Sequence, residues 1–214
     1  MNVLLDNLPA LLDGLWTTVW MTVVAGIGAL ILGVLVTAAR VSPVPILRGL
    51  AFGYVQFFLN VPALALLVLF VFALPDVGLL MPLTTTAVVV LVIYEAAYVA
   101  EAVRSGINTV AMGQAEAARA IGLTFFQSLR LVILPQALRA VVQPVGNVMI
   151  ALVMNTSLAA AVGVVELTAS ANKVNLVHAQ PIPIFVGAGL AYMALALVIG
   201  LSTGFVERKV AIVR

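Results

Sequence analysis

The sequence predicts an all-α polytopic membrane protein of five crossing helices, on three observations. Hydrophobic residues fill 64% of the 214 positions and charged residues only 8%, against roughly 25% charged in a soluble domain. Five apolar stretches are each long enough for a hydrocarbon core, which needs about 20 helical residues. The alternation that a membrane β-barrel requires is absent. With a mean hydropathy of +1.24, the chain lacks the polar groups to cover its own surface in water. One transmembrane domain over residues 1–214 is expected.

Charge-free windows set the spans. The first runs from Leu15 to Ala39 and stops at Arg40. Pro43 and Pro45 end any helix in the short turn that follows. The second runs from Leu50 to Leu74, closed by Pro75-Asp76; within it Pro62 is read as a kink. The third spans Thr84 to Arg104, the fourth Ala140 to Val165 and the fifth Pro183 to Val206. The first 14 residues hold Asp6 and Asp13 but no base, unlike the basic start of a cleaved signal peptide, so the first span is expected to be retained.

Loop charge orients the bundle. Arg40 and Arg48 lie between spans one and two, and Arg104, Arg119, Arg130 and Arg139 between three and four. Arg208, Lys209 and Arg214 follow span five. With five crossings all three clusters fall on one side, and the other holds Asp6, Asp13, Asp76, Glu166 and one base, Lys173. The excess of Lys and Arg on cytoplasmic loops then places the N-terminus outside and the C-terminus inside.

The long polar loop between spans three and four, about residues 105–139, has its own order. Gly113-Gln-Ala-Glu-Ala-Ala-Arg-Ala-Ile-Gly122 is rich in helix formers and ends on a glycine suited to a helix C-terminus. Thr124-Phe-Phe-Gln127 fits a capping box at the start of a second helix, which Pro135 breaks or kinks. The residues alone leave two readings open, a surface hairpin of no special purpose and a docking element for a soluble partner.

The spacing of Glu116-Ala-Ala, Gly122, Val132 and Leu134-Pro135 resembles the EAA loop of ABC-importer permeases. The similarity continues through Ala100-Glu-Ala-Val-Arg-Ser-Gly106, Pro144-Val-Gly-Asn147, Asn155-Thr-Ser-Leu158 and Val162-Gly-Val-Val-Glu-Leu167. Taken over nearly the whole chain, the sequence is similar to polar amino acid permeases and most resembles glutamate-type permeases of actinobacteria. The resemblance implies a type I importer in which a cytoplasmic coupling helix lies between spans three and four. It also implies a second, identical or homologous permease subunit, two cytoplasmic ABC ATPases and an extracytoplasmic amino acid binding protein, in a bacterial plasma (inner) membrane. The coupling residues it points to are Gly113, Gln114, Glu116, Ala117, Ala118, Arg119, Gly122 and Pro135. Ala117 and Ala118 are small enough for close approach to a partner. No phosphate-binding P-loop occurs, so ATP and Mg belong to the partner and the chain itself is expected to bind no cofactor and to be a transport subunit rather than an enzyme. A net charge of +2 gives no reason to expect nucleic acid; lipid is the other neighbour.

Polar residues inside the spans are the candidate pathway: Asn60, Glu95, Asn147, Asn155, Thr156 and Ser157. A charge at mid-membrane costs roughly 2.5–3.5 kcal/mol even on the lenient scale, so Glu95 either reads a cargo amine or packs as a neutral hydrogen-bonding acid. Relatives commonly carry an acid where this chain has Asn155, which suits an anionic cargo. Glu101 and Arg104 are one turn apart and can pair. His178 has no second ligand nearby and cysteine is absent, so no metal site is expected; Trp16, Trp20 and Tyr192 suit interfacial anchoring or packing. Glutamate is the expected cargo, with basic amino acids or glutamine as alternatives within the class. A channel or secondary carrier is the reading from another class, but no internal repeat supports it.

Overall fold

The computed structural model describes residues 2–210, so Arg214 lies outside the described residues. Among them there is no strand. Helix α1 (Asn2–Asp6) leads into α2 (Leu8–Arg40), a 33-residue helix. Then come α3 (Pro45–Asn60), α4 (Ala63–Asp76) and α5 (Leu83–Asn108). The polar loop folds into α6 (Met112–Ala120) and α7 (Phe125–Ser128). A π-helical turn over Leu129–Ile133 joins α7 to α8 (Leu134–Thr156), which tightens into a 3-10 turn over Ser157–Val162. Two more helices follow, α9 (Leu167–His178) and α10 (Pro181–Val210).

Contacts fix the directions of the helices. Gly28 of α2 meets Val92 of α5, Gly33 meets Val99, the Thr37 hydroxyl donates to the Ala100 carbonyl at 3.2 Å, and Arg40 pairs with Glu101. Both numbers rise together, so α2 and α5 run parallel. Gly106 of α5 meets Val141 while Asn155 reaches Glu95, which makes α8 antiparallel to α5. Gly146 against Thr203 and Gln143 against Glu207 make α10 antiparallel to α8. Arg40, Arg104, Arg208 and Lys209 therefore gather at one end of the bundle.

Small residues make this packing close. Lipid offers apolar side chains no drive to leave it, so membrane helices associate where short side chains let backbones approach. A Cβ at Gly33 would sit 2.9 Å from the Ala96 carbonyl oxygen and 2.6 Å from Val99 Cβ. The interior around α5 is accordingly Ala87, Ala96, Ala97 and Ala100, all fully or almost fully buried.

Three expectations need correction. The second span is not one kinked helix: α3 and α4 meet at a 102° bend around Val61-Pro62, too sharp for a continuous helix. Four helices, or five with that bent pair as one broken span, are long and apolar enough to cross a membrane. Pro135 does not break the helix: Phe125–Val162 run through it as one continuous helix, so its missing N–H falls in the helix interior rather than at a free start. The wider π-helical turn before it makes room for the ring against the Leu131 carbonyl. Glu166 is not an exposed loop charge either; it is fully buried at the start of α9.

Candidate functional site

The polar loop forms a helical hairpin at the basic end of the bundle. α6 closes with a Schellman pattern: Leu123 N–H donates to the Ala118 carbonyl at 3.1 Å and Gly122 N–H to that of Arg119 at 3.0 Å. Gly122 sits at φ 87°, the left-handed conformation that favours glycine. Thr124 then opens α7 with the expected box: Gln127 N–H donates to Thr124 Oγ1 at 3.3 Å, and Thr124 N–H to Gln127 Oε1 at 2.9 Å. Gln136 Nε2 donates to Gln114 Oε1 at 3.3 Å, tying α6 to the first turn of α8.

This bracing leaves most of α6 free. Gly113, Gln114, Glu116, Ala117 and Arg119 are exposed, whereas Ala118 is buried. Ala118 is thus buried on the inner side of α6, where the helix packs on α7 and the π-helical turn of its own hairpin, whereas Ala117 beside it is exposed. Four large apolar side chains, Met112, Ile121, Phe125 and Phe126, are each at least 72% exposed. Such a cluster around a charged helix marks a surface built to be covered.

The base of α5 carries an ion cluster. Glu101 binds both Arg104, one turn on, and Arg40 from the end of α2. The Arg40 side chain is only 9% exposed, and its guanidinium also lies 5.6 Å from the Phe52 ring centroid. The pair expected from the i,i+3 spacing exists, and the structure adds the second arginine that spacing could not supply.

Deeper in the bundle, three of the six pathway candidates meet. Asn147 and Asn155 are eight residues apart on α8, hence on one face with Ala151. That face lies beside Glu95, Tyr94 and Tyr98 of α5, around a cavity of about 360 Å³. Asn155 Nδ2 donates to Glu95 Oε1 at 2.7 Å, and the two tyrosine hydroxyls share a hydrogen bond of 2.9 Å. Glu95 is 1% exposed. The tyrosines were missed in the sequence, although their i and i+4 spacing around Glu95 places them on its flank.

The other three candidates lie apart. Thr156 is buried and donates to the Val153 carbonyl at 2.6 Å. Ser157 donates to the Met154 carbonyl at 2.7 Å and borders a separate cavity of about 470 Å³ against α10. Asn60 is exposed at the end of α3 and donates to the Gln56 carbonyl at 2.7 Å.

At the opposite end from the ion cluster, Glu166 joins three helices. Its Oε1 caps α9 by accepting from Ala169 N–H at 2.8 Å, and its Oε2 accepts from the Tyr192 hydroxyl and, at 3.4 Å, from Thr18. Tyr192 therefore packs rather than anchors at an interface, while Trp16 is 68% exposed. His178 Nε2 lies 3.0 Å from Asn7 Nδ2.

Residues 8–212 match the family model described as the binding-protein-dependent transport system inner membrane component. The chain belongs to this family. This membrane component of a transport system is also 40% identical, over 95% of each chain, to the glutamate transport system permease protein GluC of Corynebacterium efficiens. It is 34% identical to the probable glutamine ABC transporter permease protein GlnM of Bacillus subtilis, covering 97% of this chain and 96% of that one. Its fold matches the crystal structure of an amino acid ABC transporter with histidines, with a TM-score of 0.89, 27% identity and 96% of each chain covered. The inner membrane component is thus a multi-pass membrane protein with the fold of an ABC importer permease.

Proposed function

We propose that the chain is the permease subunit of an ATP-driven importer of a polar amino acid in a bacterial plasma membrane. The observation that carries this reading is the α6 hairpin, a short exposed helix closed at Gly122 and followed by the Thr124 capping box of α7, surrounded by uncovered apolar side chains, within a chain of this family. In this reading residues 1–214 form one transmembrane domain, N-terminus outside and C-terminus inside. Gathering Arg40, Arg104, Arg208 and Lys209 at one end supports that orientation. Two cytoplasmic ATPases, which hold the ATP and Mg, dock on the α6 face through Gln114, Glu116, Ala117 and Arg119. Gly113 lies in the first turn of α6 and Gly122 just beyond its end, and Pro135 sets where the hairpin rejoins the membrane. A rigid short helix transmits partner motion to α5 and α8 as a body.

A second permease subunit completes the pathway, because one bundle of four or five spans cannot enclose a gated channel, and an external binding protein delivers the cargo. Glu95, Asn147 and Asn155 line the transit cavity. Asn60, Thr156 and Ser157 act at the outer bend and at the tightened end of α8. Names of relatives point to glutamate and to glutamine, so a polar amino acid of that kind is the cargo class. The test is uptake of labelled amino acids by cells lacking this gene. Uptake that returns with the native chain and stops when ATP is depleted is the expected result; unchanged uptake of every amino acid in the deleted strain contradicts it.

A further inference from the structure

The cavity between α5 and α8 has a charge balance that discriminates between those two cargoes. Glu95 is its one charged lining residue, and no Lys or Arg borders it. The nearest bases on α2 and α5, Arg40 and Arg104, are both held by Glu101, six residues and about 9 Å further along α5 than Glu95. Among the described residues only Asn155 bonds Glu95, through Oε1, which leaves Oε2 for a ligand. The volume of about 360 Å³ falls within the roughly 300–1,000 Å³ usual for small-molecule sites.

A helix-packing role needs only a neutral side chain, and a carboxylate at this depth is costly to keep. We propose that Glu95 selects cargo by charge: it receives the amino group, and the cavity prefers neutral or cationic side chains over that of glutamate. The proposal rests on the importer reading. The amides of Asn147 and Asn155 and the Tyr98 hydroxyl supply donors for one cargo carboxylate. A second carboxylate finds no base and faces Glu95. Like charges about 6 Å apart at an effective dielectric of about 20 correspond to on the order of 100-fold in occupancy, and residual water reduces this to a discrimination of roughly tenfold or more.

The test uses the full permease with its copurified ATPase in lipid nanodiscs, without the binding protein. Equilibrium binding of labelled glutamine, arginine and glutamate is measured for the native complex and for Glu95→Gln, which keeps an acceptor for Asn155. The native cavity should bind glutamine and arginine at least about tenfold more tightly than glutamate. Glu95→Gln should raise glutamate relative to glutamine by a similar factor and weaken arginine, whereas Asn155→Ala should weaken all three alike. Equal native affinities, ratios unchanged by Glu95→Gln, or no binding to a complex that still hydrolyses ATP would each overturn the charge filter while sparing the importer. Failure of the native chain to restore ATP-driven uptake to cells lacking this gene would strike the importer reading itself.

Discussion

Replacing Gly122 by Ala isolates the backbone contribution to the hairpin. Nothing lies within 4 Å of where a Cβ would stand, so no clash occurs and only the left-handed conformation at φ 87° is taxed. That conformation costs an ordinary L-residue about 1–2 kcal/mol, equivalent to a factor of roughly 5–30 in the closed hairpin population. Hydrogen exchange of the α6 amides should accelerate by that factor, while the buried α5 amides keep their native rates. Gly122→Asn should fall between native and Ala, because Asn tolerates this region. ATP-driven uptake should drop in the same order, with assembly of the complex retained. Native exchange rates in Gly122→Ala, or equal effects of Ala and Asn, would refute the capping argument.

Other expectations follow from buried polar groups and from topology. Glu101→Gln removes the carboxylate shared by two guanidiniums and should lower stability by about 1–3 kcal/mol, read as a reduced midpoint of thermal unfolding in detergent. Glu166→Ala strips the α9 cap and the acceptor of Tyr192 and Thr18, so it should cost about 2–4 kcal/mol, with Glu166→Gln milder in the same assay. Ala179 holds φ 52° after α9, and Ala179→Gly should stabilise by up to about 1 kcal/mol. The chain has no cysteine, so single Gln114→Cys and Leu176→Cys variants should react with an impermeant maleimide only from the inside and only from the outside, respectively.

What could be read from the sequence was whatever a local pattern dictates. The apolar windows located the cores of α2, α5, α8 and α10, and Gly122 and the Thr124–Gln127 box marked the hairpin because caps are local chemistry. The 102° bend at Val61-Pro62 was not legible, since an apolar run does not record the direction of its axis and a proline serves kink and break alike. α9 was missed because at 12 residues it is too short for a span and its N-cap is Glu166 rather than Ser, Thr, Asp or Asn. Glu166 itself looked like loop charge, because its partners Thr18 and Tyr192 are distant in the chain. For the cavity, Glu95 and the two asparagines were visible as misplaced polar residues, but that they face one another follows only from α8 running antiparallel to α5.

Docking of an ATPase on α6 is the central claim, and site-specific crosslinking tests it most directly. A photo-crosslinking residue at the exposed Ala117 position of the full chain, activated in intact cells, should trap a polypeptide carrying a P-loop, and the same probe at Leu176 should not. Efficient ATP-dependent uptake with no ATPase adduct at Ala117, or an equal adduct at Leu176, would contradict the account.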